Sequence, residues 1–285
     1  MDRVTAHIAE PISGESLYQE RARRALPMLV RQAESGNSIF YSDLADELGM
    51  SNPRNLNFVL GSIGRTLENL SKRWKQKIPP IQCLVLNKNT HLPGEGIGWF
   101  LIKKEDFSSL STVRKRAIVD AELAHIYGYP RWREVLQILD LPPVNQSFAK
   151  VNEAAAGRGG GESESHRKMK EFVAVHPEVV GLPASTAGGK CEHPLPSGDK
   201  LDVSFVTKAG WIAVEVKTEI SNEADIVRGL YQCVKYVAVM QAVEASENRE
   251  ISAQAFSAIA GKLPKNLLPL KNMLGVAVIE DVSYQ

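Results

Sequence analysis

The sequence holds no apolar run approaching the roughly 20 residues of a membrane-spanning helix. Its start, Met1-Asp2-Arg3-Val4, lacks a secretory-signal pattern. A cytoplasmic protein with no membrane partner is expected. Cysteine is scarce: Cys83, Cys191 and Cys233 are odd in number and far apart. This excludes a disulfide framework and offers no C-x-x-C spacing for zinc. His166, His176 and His193 also lack metal-ligand spacing. Charge of one sign is missing too, with 34 Lys and Arg against 33 Asp and Glu. That balance hides a basic patch between Ser51 and Lys77, where Arg54, Arg65, Lys72, Arg73, Lys75 and Lys77 are opposed only by Glu68. The 285 residues suffice for two modest domains, each with its own core.

What is present centres on residues 201–217, where two β-rich runs flank a short polar turn containing Gly210. A turn centred on Lys208-Ala209 places Asp202 opposite Glu215, and opposite residues share a face with Cβ atoms about 4.5–5.5 Å apart. Lys217 shares the face of Glu215, while Val203, Phe205, Ile212, Val214 and Val216 supply the buried one. Two carboxylates beside an ammonium suit Mg²⁺, with Mn²⁺ as a substitute, and such an ion can activate water and stabilise charge on a phosphoryl oxygen. The alternative is a surface hairpin whose charges are merely solvated. On this register Asp202→Asn relieves a repulsion, so the metal-free variant is expected to melt at or above the parent's temperature, provided no hydrogen bond needs the charge.

Glu215-Val216-Lys217, with Asp202 on the preceding strand, resembles the E-x-K signature of the PD-(D/E)XK nuclease superfamily. Leu201 stands where the name has proline. The resemblance covers roughly residues 160–285 and implies a restriction-endonuclease-like α/β fold, a mixed central sheet flanked by helices. It also implies a glutamate from the first helix, which the sequence places at Glu162 to Val175. At 100° per residue Glu162 lies near Met169 on the buried face and Glu164 points away, so Glu162 is the choice and Glu164 the fallback. On the long helix from Glu223 to Ala245, Arg228, Gln232 and Tyr236 share one stripe. Gln232 and Tyr236 resemble the Gln-x-x-x-Tyr element of RecB-type nucleases, in which the glutamine reaches the site and the tyrosine faces DNA. A core tyrosine and a solvated glutamine remain the alternative.

Toward the N-terminus, an amphipathic helix spans Gly14 to about Ser35, and a short one from Tyr41 is capped by Ser42 and ended by Gly49. Asn52-Pro53 starts another, with a stripe from Leu56 to Leu70. This helix-turn-helix exposes Arg54, Asn55, Asn57 and Arg65, residue types that reach phosphates and base edges, with Lys72 in the same patch. Strands from Ile81 to Asn87 and from Ile97 to Ile102 would form a wing. Residues 41–101 resemble the DNA-binding domain of alkylguanine-DNA alkyltransferases through Tyr41-x-x-Leu44-Ala45-x-x-Leu48-Gly49, Ile78-Pro79-Pro80-Ile81-Gln82-Cys83 and Pro93-Gly94-Glu95-Gly96. The family's Pro-Cys-His-Arg is absent, so nothing makes a Cys83 thiolate and the domain is assigned to binding.

The expected architecture is a mainly α, winged helix-turn-helix domain over residues 1–150, a glycine-rich linker over 151–161 and a nuclease-like α/β domain over 162–285. The resemblance implies a Mg²⁺-dependent deoxyribonuclease. Asp202, Glu215 and Glu162 would be metal ligands, Lys217 and Gln232 would complete the catalytic set, and Arg228 and Tyr236 would contact DNA. A non-cleaving DNA-binding protein and an RNA-processing nuclease stay open. DNA is the expected partner, and a homodimer is compatible with the reading.

Overall fold

In the computed structural model, which describes residues 8–102, 107–144, 163–208 and 210–284, the chain divides into two units, Met1–Asn145 and Gln146–Gln285. The first apolar stripe becomes α1 (Leu17–Ser35), followed by β1 (Ile39–Phe40) and α2 (Tyr41–Glu47). α2 starts directly after Phe40, so Ser42 lies in its first turn and is not the cap. Gly49, at φ +69°, ends it as expected, and the Met50 N–H donates back to the Ala45 carbonyl. Asn52 accepts from the Arg54 N–H at 3.0 Å and, with Pro53, opens a 3₁₀ turn that runs into α3 (Leu56–Trp74).

The expected wing is not formed. Ile81–Leu84 is a 3₁₀ turn, and only β2 (Val85–Leu86) is extended, pairing in parallel with β1. Where a second strand was expected, Glu95–Ile97 is another 3₁₀ turn and α4 (Gly98–Leu101) a single helical turn. Short apolar runs do not distinguish strand from buried turn, and here packing decides: a methyl group at Gly98 would stand 2.4 Å from the Phe107 Cβ. α5 (Thr112–Tyr127) and α6 (Trp132–Ile138) close the first core.

The second unit is α/β. A five-stranded mixed sheet runs β3 (Lys190–Pro194), β4 (Lys200–Thr207), β5 (Gly210–Lys217), β6 (Gln254–Ile259) and β7 (Ala277–Ile279), with α7 (Glu164–Val175), α8 (Glu223–Ser246) and α9 (Leu268–Leu274) packed around it. Pairing is antiparallel from β3 to β5 and parallel from β5 to β7. Met169 and Val173 of α7 cover Val203, Phe205, Ile212, Val214 and Val216. On the other face Tyr236 and Met240 of α8 meet Leu201, Trp211 and Ala213. β3 carried no sequence signal, because its residues alternate between exposed and half-buried and present no apolar face. The expected linker and Glu162 lie outside the described residues. Among the described residues, no helix is long and apolar enough to cross a membrane.

A buried ion pair joins α1 to α2: Arg31 makes two bonds to Glu47, at 2.5 and 2.9 Å, and both side chains are almost fully enclosed. Glu47→Ala would strand the guanidinium, and breaking such a pair costs about 3–5 kcal/mol. The double change Arg31→Met, Glu47→Leu is expected to lose much less. Urea denaturation of the three full-length proteins checks this, and equal losses in the single and double variants would exclude the stranded charge as the cause.

Candidate active site and nucleic-acid interface

The β4–β5 ladder runs from Thr207↔Gly210 to Val203↔Val214, the register expected from the sequence. It stops one position short of Asp202, and the Asp202 carboxylate itself accepts from the Val216 N–H at 3.0 Å. Asp202 therefore sits in the fork where the strands part. His166 of α7 approaches the same oxygen at 3.4 Å. Glu215, 3% exposed, turns to the α8 side. Lys217 Nζ donates to its Oε1 at 2.7 Å, and the Tyr236 hydroxyl lies 3.1 Å from its Oε2. The helix comes this close because residue 229 is glycine: a methyl group there would be 2.6 Å from Lys217 Cε and 3.4 Å from Glu215 Cγ.

These contacts split the two carboxylates electrostatically. Burial first, then the Asp202 charge, pushes Glu215 up to about 7, while Lys217 and Tyr236 restrain the rise. Burial also acts upward on Asp202, yet His166, the Val216 N–H and Lys217 outweigh it and hold that carboxyl below its usual value. The Lys217 ammonium loses stability by burial, but Glu215 and Asp202 more than restore it and its pKa is raised. A strongly ionised carboxylate and one that titrates near neutrality thus stand beside a fixed cation.

Asp202, Glu215, Lys217, Gln232 and Tyr236 come together. Gln232 Nε2 donates to the Tyr236 hydroxyl at 3.3 Å, and its Oε1 is buried with no hydrogen-bond partner. Tyr236 is 2% exposed and aimed at Glu215, so it belongs to the carboxylate cluster and is not a DNA-facing ring. Arg228 pairs with Asp225 at 3.0 Å. The fallback Glu164 is solvent-exposed and bonded to Lys168 at 2.9 Å, away from the cluster. Sequence reasoning missed His166, although its place three residues before the buried Met169 puts it on the sheet-facing side of α7. It also missed Gly229, an isolated glycine in a helical pattern, which is a signal of close approach.

Among the described residues, no three His, Cys, Asp or Glu side chains are grouped to hold a metal ion. The donor chemistry still suits a hard cation that keeps several waters. Magnesium needs only one or two carboxylates, Glu215 is an acid raised first by burial and then by the Asp202 charge, and the orphaned Gln232 Oε1 can accept from a bound water.

On the first unit, Arg54, Asn55 and Asn57 are exposed at the start of α3. Arg65 and Lys72 lie further along, both on Glu68, at 3.2 and 3.4 Å. Cys83 is fully buried and its thiol is pushed up to about 12 by burial, then by Glu122 and Asp120. No family model, curated protein or solved structure matches the chain.

The hydrogen bond at Asp202 reverses the expectation for Asp202→Asn. The depressed carboxyl contributes stability above its unfolded pKa, lost as pH falls through the folded one; the raised Glu215 makes stability fall between 4.5 and about 7 as the unfolded state releases its proton first. Near about pH 6, with Glu215 mostly protonated, the variant is expected to be less stable by on the order of 1 kcal/mol. The gap should narrow in acid and again above neutrality. Thermal melts across pH test this, and a variant at or above the parent's stability throughout would contradict it. Tyr236→Phe removes a donor that holds Glu215 down, so the Glu215 midpoint, followed by NMR of its carboxyl carbon, should move upward. A midpoint at or below the parent's would exclude that role.

Proposed function

We propose that the second unit is a metal-dependent phosphodiesterase acting on DNA, a nuclease of the PD-(D/E)XK kind, and that the exposed polar start of α3 supplies DNA contacts. The observation that carries this reading is the buried Glu215, held by Lys217 beside Asp202 at the end of the β4–β5 ladder.

Asp202 and Glu215 would hold Mg²⁺ or Mn²⁺, with Glu162 as a further ligand. When bound, the ion supplies Lewis-acid polarisation of the phosphoryl oxygen and a more acidic water. Lys217 keeps its proton beside two carboxylates, so it offsets charge on the phosphate and orients the attacking water as a donor. Tyr236 fixes the Glu215 carboxylate, and the free Gln232 Oε1 can align that water. His166 and the Val216 N–H hold Asp202 in the fork. Arg228 would steady the phosphate, and Arg54, Asn55 and Asn57, joined by Arg65 and Lys72, would contact the duplex mainly through phosphates.

Supercoiled, linear and single-stranded DNA, and RNA, incubated with Mg²⁺, Mn²⁺ or EDTA, test this reading. Cleavage of DNA that EDTA abolishes is expected, and Lys217→Ala should reduce its rate roughly 10²–10³-fold while leaving DNA affinity nearly unchanged. Near-parental cleavage by this variant would remove the lysine from the mechanism, and preference for RNA would change the substrate.

A further inference from the structure

The turn that follows β5 departs from ordinary turn chemistry, and it does so beside the carboxylate cluster. Lys217 ends β5, and the Ser221 N–H donates back to the Thr218 carbonyl at 3.0 Å, closing a turn with Glu219 and Ile220 at its centre. Turns favour glycine, proline, asparagine, aspartate and serine. Ile220 is instead 66% exposed, and it packs into no apolar cluster among the described residues of the second unit. A stiff β-branched side chain is thus held out in water three residues beyond Lys217.

The turn is braced on both sides. Glu219 accepts from the Ser165 hydroxyl at 3.3 Å on one carboxylate oxygen and from the Tyr284 hydroxyl on the other. Thr218 is buried before it, and after it Asn222 and Asp225 form the reciprocal cap that starts α8. Ser165 directly precedes His166, the residue that contacts Asp202, so the brace also fixes where Ile220 stands relative to the fork between β4 and β5. The start of α7, the segment at Tyr284 and the cap of α8 together hold one apolar side chain at the rim of the cluster. Single exposed apolar residues are ordinary on a surface. A braced one at a turn centre, next to buried carboxylates, breaks a local rule where functional residues are expected to break it.

We propose that Ile220 is a wedge that enters a base step of bound DNA next to the scissile phosphate. This rests on the nuclease reading above and specifies its substrate as duplex DNA that is locally unstacked at the cut. Apolar side chains such as isoleucine, inserted between bases, unstack the step and kink the duplex. The brace matters because a yielding loop would give way before the bases did, and β-branching leaves the side chain little rotamer freedom to lose. With Lys217 three residues back along the chain, the wedge opens the backbone beside the phosphate that the ammonium meets. That presents the phosphate to Asp202 and Glu215. A strand already unpaired at the cut has little need of it.

The test compares cleavage of two substrates by the full-length protein with Mg²⁺: a fully paired duplex, and the same duplex carrying a short mismatched bubble at the position the parent cuts. Ile220→Ala should lower kcat on the paired duplex by about tenfold or more, with an unchanged melting temperature because the side chain stands in solvent. The bubble should recover most of that loss, and Ile220→Leu should keep most of the parental rate. In the slowly cutting Lys217→Ala background, 2-aminopurine beside the cut position should brighten when the paired duplex is bound at saturation, and adding Ile220→Ala should abolish the brightening. Parental cleavage of the paired duplex by Ile220→Ala, an equal loss on both substrates, or no brightening with the isoleucine present would overturn the wedge and leave the nuclease reading standing. A parent that cuts no DNA with either Mg²⁺ or Mn²⁺ would overturn that reading, and the wedge with it.

Discussion

A carboxylate with 3% of its surface exposed must find its stabilisation inside the protein, and at Glu215 that requirement governs residue choice on two elements. Lys217, two residues along the same strand, brings the compensating charge. Tyr236 brings a neutral donor from α8, and Gly229 removes the side chain that would keep helix and strand apart. Asp202, whose charge adds to the strain on Glu215, is drawn to the Val216 N–H and His166. One carboxyl is thereby kept ionised and the other poised near neutrality, the division of roles that acid–base and metal chemistry require.

Buried polar groups in the first unit fall into two kinds with different consequences. The Arg31–Glu47 pair is satisfied at both ends and fixes the angle between two helices. Gln82 is satisfied at neither end and packs against Gly64 of α3 beside the Phe100 ring. Satisfied groups specify architecture, whereas an unmet one is a cost that the rest of the fold carries. Gln232 repeats the second pattern beside Glu215, its Oε1 unmet within a cluster otherwise well bonded.

The departures from expectation share a physical origin. A ladder read by register alone put Asp202 face to face with Glu215. The strands instead part there, and the aspartate uses its oxygen where a backbone carbonyl would have been. In residues 81–102 short apolar stretches suited strands, but the extended residues Val85 and Leu86 were taken by Ile39 and Phe40, and Gly98 let the chain coil against Phe107. Both outcomes depend on partners distant in sequence.

The sequence by itself determined the hairpin register, the starts and ends of α1, α3 and α8 to within a few residues, and the nearness of Asp202, Glu215 and Lys217. These are matters of local geometry: alternation of side chains, a short turn, an N-cap followed by proline, a glycine after the last helical turn. Only the tertiary structure decided which groups surround those three. His166, Gly229 and Tyr236 come from helices packed on opposite faces of the sheet, and Glu215 became an acid poised near neutrality only when α8 closed over it. Solvation and field at a side chain are set by every element that packs against it, and no spacing along one strand encodes them.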